Sequence, residues 1–207
     1  MKNIFSLFTV AFMLLLAGCD LTTLHPIFTP SDLVLENRIL GKWQNAEHQF
    51  QLDPASKIPA DDLPANLENY KEKFYLFTRE GRKSMAFLVK IGKHYFLDLY
   101  PIEDNANRSI DPFYSQHKIK MHTIYRLDIL NPSSLRMQGL EDSYVKDMIT
   151  NKQIKISYTM VRNSDSDEES ILLTASTKEL QQFLLKYGSD TKAYGNQENS
   201  IYSKKTN

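Results

Sequence analysis

From Ile119 to Ile129 the side chains alternate, with Ile119, Met121, Thr123, Tyr125, Leu127 and Ile129 on one face and Lys120, His122, Ile124, Arg126 and Asp128 on the other. A period of two is the repeat of a β-strand, so this stretch predicts a strand with one face toward a core. Runs rich in Phe, Tyr, Val and Leu precede it at Lys73 to Arg79, Ser84 to Ile91 and Tyr95 to Tyr100. They are separated by Glu80-Gly81-Arg82-Lys83 and by Gly92-Lys93-His94, which predicts hairpins. Shorter strands are expected at Leu40 to Gln44, Gln49 to Leu52, Leu135 to Leu140, Ile154 to Met160 and Ile171 to Thr174. The expected fold is therefore mainly β: an antiparallel meander, closed into a barrel or folded as a strongly bent sheet, with a helix near the C-terminus.

The second hairpin admits two registers. A two-residue loop at Gly92-Lys93 places Asp98 opposite Phe87, among apolar side chains. A three-residue loop through His94 gathers Met85, Phe87, Val89 and Ile91 with Tyr95, Leu97 and Leu99 on one face. The second is expected, because it spares Asp98 burial without a partner.

Two helices are expected. Glu141 to Thr150 has Tyr144 and Met148 four apart. Lys178 to Tyr187 has an apolar stripe of Leu180, Phe183, Leu184 and Tyr187, a capping-box spacing of Ser176 and Glu179 before it, and Gly188 to end it. Two long loops interrupt the pattern, Asp53 to Tyr70 with a helical turn through Leu63, Leu67 and Tyr70, and the polar Pro101 to His117. The acidic run Ser164-Asp165-Ser166-Asp167-Glu168-Glu169 lacks the glycine and spacing of a calcium loop and predicts a solvated turn.

At 207 residues the chain has room for one domain and little more. Its 25 Lys plus Arg balance 25 Asp plus Glu, so no net field draws it to nucleic acid. A single cysteine excludes an intrachain disulfide and a multi-thiolate zinc site. The N-terminus limits location more sharply. Lys2 is followed by an apolar run from Ile4 to Ala17, then by small residues before Cys19, which is the pattern of a secretory signal. The run is shorter than the ~20 residues that span a bilayer as a helix.

Leu16-Ala17-Gly18-Cys19 resembles the lipobox of bacterial lipoproteins. The resemblance implies cleavage before Cys19, acylation of its thiol and attachment of the exported chain to a membrane of the cell envelope, facing the periplasm. The other reading is an ordinary signal peptide with an incidental cysteine. Asp20 resembles the signal that retains enteric lipoproteins in the inner membrane, while other lineages follow other rules. The expected organisation is a signal peptide over 1–18, a lipid-anchored tether over 19–38 that packs partly on the domain and reaches at most on the order of 60 Å, a β-rich domain over 39–190 and a flexible tail over 191–207.

Leu40-Gly41-Lys42-Trp43 resembles the Gly-x-Trp signature that opens the first strand of lipocalin-like proteins, where the indole closes one end of the barrel, often beneath an arginine of the last strand. Arg162 is the candidate for that partner. A core tryptophan of another sheet protein is the alternative. The wider order of motifs resembles a group of uncharacterised bacterial lipoproteins. These are the lipobox, His25-Pro26-Ile27-Phe28, Asp32-Leu33-Val34, Leu40-Gly41-Lys42-Trp43, Phe96-Leu97-Asp98-Leu99-Tyr100-Pro101 and Leu172-Leu173-Thr174-Ala175. The resemblance brings no activity with it.

For chemistry the sequence offers little. There is no Gly-x-Ser-x-Gly elbow and no Gly-rich phosphate cradle, and the one thiol belongs to the anchor. His25, His48, His94, His117 and His122 lack metal-ligand spacing and are expected as surface or loop residues, with no metal and no cofactor. Asp98 is read as a carboxylate on the outer face of a strand rather than a catalytic acid.

A non-enzymatic lipoprotein is the first expectation, with a barrel enclosing a small apolar ligand lined by Trp43, Phe74, Leu76, Phe87, Val89, Tyr95, Leu97, Tyr125 and Leu127. The same side chains suit a filled core, which defines the second reading: a structural or interaction lipoprotein, with a protein partner docked on the loops from Pro101 to Tyr114. An envelope hydrolase is the third.

Overall fold

The computed structural model describes residues 20–58, 63, 67, 72–102, 119–162, 169–194 and 198–205. Eight antiparallel strands close into a barrel: β2 (Gly41–Gln44), β3 (Gln49–Pro54), β4 (Tyr75–Arg79), β5 (Arg82–Ile91), β6 (His94–Pro101), β7 (His122–Asn131), β8 (Ser134–Gly139) and β11 (Ile201–Lys204). They neighbour one another in chain order from β2 to β8, and β11 then pairs with both β8 and β2. A smaller group continues the sheet beyond β7. Here β1 (Thr22–Thr23) lies antiparallel to β7 and parallel to β10 (Glu169–Leu173), and β9 (Tyr158–Arg162) forms the outer edge. Helix α1 (Asp142–Thr150) follows β8, and α2 (Thr177–Tyr187) follows β10.

Local chemistry accounts for the elements. The β4–β5 hairpin turns through Glu80 and Gly81, both at positive φ (52° and 78°), as a two-residue primed turn requires. Helix α2 begins with the expected capping box: the Ser176 hydroxyl accepts from the Glu179 backbone N–H, and the Glu179 carboxylate accepts from the Ser176 N–H. Its buried stripe is Leu180, Phe183 and Leu184.

The β5–β6 register is the one set aside on sequence grounds. Ile91 pairs with His94 across Gly92-Lys93, with Gly92 at φ +60°, and Phe87 pairs with Asp98. Segregating every apolar side chain onto one face is unnecessary because both faces of β5 are buried. Ala86 and Leu88 point into the barrel, while Met85, Phe87, Val89 and Ile91 belong to a second core on its outer flank.

That second core holds far more of the tether than the partial packing expected of it. Residues 20–38 are a strap across the flank, with Leu21 and Ile27 fully buried and Phe28 and Leu33 nearly so. Beyond Ala86, the last residue of β5 that pairs with β4, the strap supplies the next backbone partner: the Val34 N–H donates to the Leu88 carbonyl at 2.9 Å. Apolar residues spaced without a period read as a linker, yet they fit a surface whose own repeat is already satisfied.

The tail expectation is corrected as well. Ile201–Lys204 is the strand that closes the barrel, and Tyr202 is buried inside it. Thr191–Ala193 forms a short turn ahead of the buried Tyr194. A four-residue strand with one inward apolar side chain carries almost no period, so hydrophobicity alone did not reveal it. Positions 164–168 of the acidic run, His117, Tyr70 and most of the Pro101 to His117 loop lie outside the described residues, whereas Glu169 opens β10 and Leu63 and Leu67 pack on the flank core. Among the described residues, no helix is long and apolar enough to cross a membrane.

Candidate functional site

The nine side chains expected to line one cavity do not converge. Trp43, Tyr95, Leu97, Tyr125 and Leu127 belong to the barrel interior, while Phe74, Leu76, Phe87 and Val89 belong to the flank core. Strand register divides them: adjacent residues leave opposite faces, and the observed β5–β6 pairing sends Phe87 and Val89 outward.

The interior is packed. Phe50 stacks on Phe77 at 5.2 Å between ring centroids and meets Tyr202 edge-on at 4.8 Å. Trp43, 1% exposed, donates its indole N–H to the Ile39 carbonyl at 2.8 Å. A cation does lie over the indole, and it does come from the last strand: Lys204 Nζ is 5.3 Å from the ring centroid. Arg162, the sequence candidate, instead pairs with Glu169 at 3.1 Å on the outer edge of the sheet. The concavities that open to solvent include a cleft of about 380 Å³ between β5 and α2, lined by Val89, Ile91, Gln181 and Leu185.

The flank core contains the most unusual polar group. Asp98 leaves the outer face of β6, as read from sequence, but it is fully buried there rather than solvated. One carboxylate oxygen faces His122 Nδ1 at 2.6 Å, and the other accepts the Ile27 backbone N–H at 2.9 Å. The Tyr100 ring packs on the imidazole, with centroids 4.7 Å apart. A carboxylate placed opposite Phe87 is therefore satisfied by one residue of β7 and one of the strap. The pair joins three segments, and its chemistry is that of a structural clamp.

The other described histidines are dispersed. His94 Nε2 lies 2.9 Å from the Ser189 hydroxyl, and its pKa is lowered by burial first and by Arg126 second, with Asp128 opposing. His48 faces Glu80. Among the described residues, no group of three or more His, Cys, Asp or Glu side chains could hold a metal ion.

At the N-terminal end of the strap, β8 leaves β7 at Gly139 and β1 takes its place. Asp20 forms an antiparallel bridge with Glu141, and the Leu21 N–H donates to the Leu140 carbonyl at 2.7 Å. Tyr125, reaching from β7, donates its hydroxyl to the Asp20 carboxylate. Burial, reinforced by that carboxylate, pushes the Tyr125 phenol well above its ordinary pKa. Gly139 makes the approach possible, since a Cβ there would lie 2.0 Å from Asp20 Oδ1. The Glu141 pKa is raised by burial and then by its neighbours Asp20 and Asp142. Sequence reading gave Asp20 a role in sorting and missed this structural one, because its partners lie more than a hundred residues away.

Comparison of the chain with protein-family models, with curated proteins and with solved structures returned no match.

Proposed function

We propose that this chain is a lipoprotein of the bacterial cell envelope, acylated at Cys19, whose barrel is a non-enzymatic module that works by contact with an envelope protein. The anchor rests on Leu16-Ala17-Gly18-Cys19 at the end of an apolar run. Several acyl chains, each contributing ~0.8 kcal/mol per buried methylene, would hold it at a membrane where one chain would not. The observation that favours contact over enclosure is the packed interior, in which Trp43, Phe50, Phe77 and Tyr202 occupy the space a ligand would need. Lipocalin-like ligand binding is thus the less favoured reading, despite the Gly-x-Trp start and the cation over Trp43.

The test combines two measurements on the full-length protein. Cys19→Ser is expected to abolish the acyl mass that intact-mass analysis finds on the native chain; a native chain with a bare Cys19 would refute the anchor. Native mass spectrometry of the same variant is expected to show the protein mass alone, and a co-purified lipid would instead revive the ligand-binding barrel.

A further inference from the structure

Whether an anchored domain tumbles or holds one orientation depends on the slack between its lipid and its first fixed residue. Cys19 is bonded directly to Asp20, and consecutive Cα atoms are ~3.8 Å apart. From Asp20 onward the backbone is already engaged: Asp20 bridges Glu141, Leu21 donates to Leu140, and Thr22 and Thr23 pair with both β7 and β10. Leu21 is fully buried and Asp20 holds the Tyr125 hydroxyl, so the fixed region begins one residue after the acylated one.

Resting on the acylation proposed for Cys19, we infer that the domain sits on the lipid headgroup layer in one orientation. The side of the barrel wall that carries Asp20, Glu141 and the first turn of α1 faces the bilayer. The Gly92–Lys93 and Pro132–Ser133 turns lie farther from it. Strand geometry sets the contrast. Asp20 lies level with Tyr125 on β7, and the six residues from there to Asn131 rise about 20 Å at ~3.3 Å each. The β5–β6 turn lies at the same far end, because Tyr95 pairs with Leu127. A tether able to reach on the order of 60 Å would have erased this contrast; a single peptide bond keeps it.

Acylation consumes the only native thiol, so a cysteine introduced at Ser143 in α1 or at Lys93 in the β5–β6 turn, both exposed, takes a nitroxide uniquely. The acylated full-length protein is placed in phosphatidylcholine vesicles containing a nickel-chelating headgroup lipid. Spin relaxation is expected to be several-fold faster at position 143 than at position 93. A flexible Gly-Ser linker inserted between Cys19 and Asp20 should bring the two rates together. Equal rates without the linker, in protein whose intact mass carries the acyl chains, would overturn the fixed orientation alone. An intact mass with a bare Cys19 would overturn the anchor and the orientation with it.

Discussion

The barrel's interior and its outer flank are both buried apolar cores, but they are built by different rules. The interior is assembled from alternate residues of closed strands; its core cluster is apolar and aromatic, with Arg79 on the same face opposite Phe50 and near Tyr125 and Tyr202. The flank gathers a strap without periodicity, two helices and the β10 region over the outward residues of β4 to β7, and it buries an Asp–His pair at its centre. A closed barrel has no free edge, so its interior side chains need no polar partner to fix their register. A strap lying on a finished sheet can slide, and a buried carboxylate that accepts one particular backbone N–H specifies where it stops.

This contrast can be broken most severely at the closing strand. Deleting residues 201–207 removes Tyr202 from the interior and leaves β2 and β8 with unpaired edges. Loss of the cooperative thermal transition is expected, with dye binding to exposed apolar surface as the check. Next in size is Asp98→Ala, which strands His122 and the Ile27 N–H and should cost about 3–5 kcal/mol in denaturant unfolding. The double variant Asp98→Leu, His122→Leu sharpens the argument. If the pair specifies position more than it stabilises, the double variant recovers much of that loss while hydrogen exchange across residues 21–34 becomes faster.

Lys204→Ala removes a cation from an exposed site over Trp43 and should cost about 0.5–1 kcal/mol, read as a shift in indole fluorescence and a small drop in melting temperature. The smallest effect concerns Glu141. Its folded pKa is raised above 4.5, so the folded state resists its ionisation: the penalty is absent below the unfolded pKa and complete above the folded one. Glu141→Gln should therefore stabilise the protein slightly at neutral pH and leave it unchanged well below pH 4.5, as unfolding midpoints across pH would report.

What could be read in advance follows the same division. Residues 122–129 were legible as a strand from their period of two, 84–91 and 95–100 from dense apolar runs bounded by turn residues, and α2 from its capping box and stripe. The strap and β11 were not, since neither carries a period and both gain stability only from partners far along the chain. Asp98 shows the limit most clearly. Avoiding an unpaired buried carboxylate was sound reasoning, but its two partners, Ile27 and His122, lie 71 and 24 residues away, and no local pattern announces them. The start of the strap escaped notice for a related reason: Asp20 contacts Tyr125 and Gly139, whose relevance depends on where β8 departs from β7.

The last strand also sets a schedule. A ribosome delivers the chain from its N-terminus, and β2 must wait for Lys204, 161 positions after Trp43, before its second neighbour exists. Until then the sheet has two raw edges and an indole without its cover. Such long-range closure slows folding, because β2 and β11 meet only after the loop-closure entropy of the whole intervening chain has been overcome.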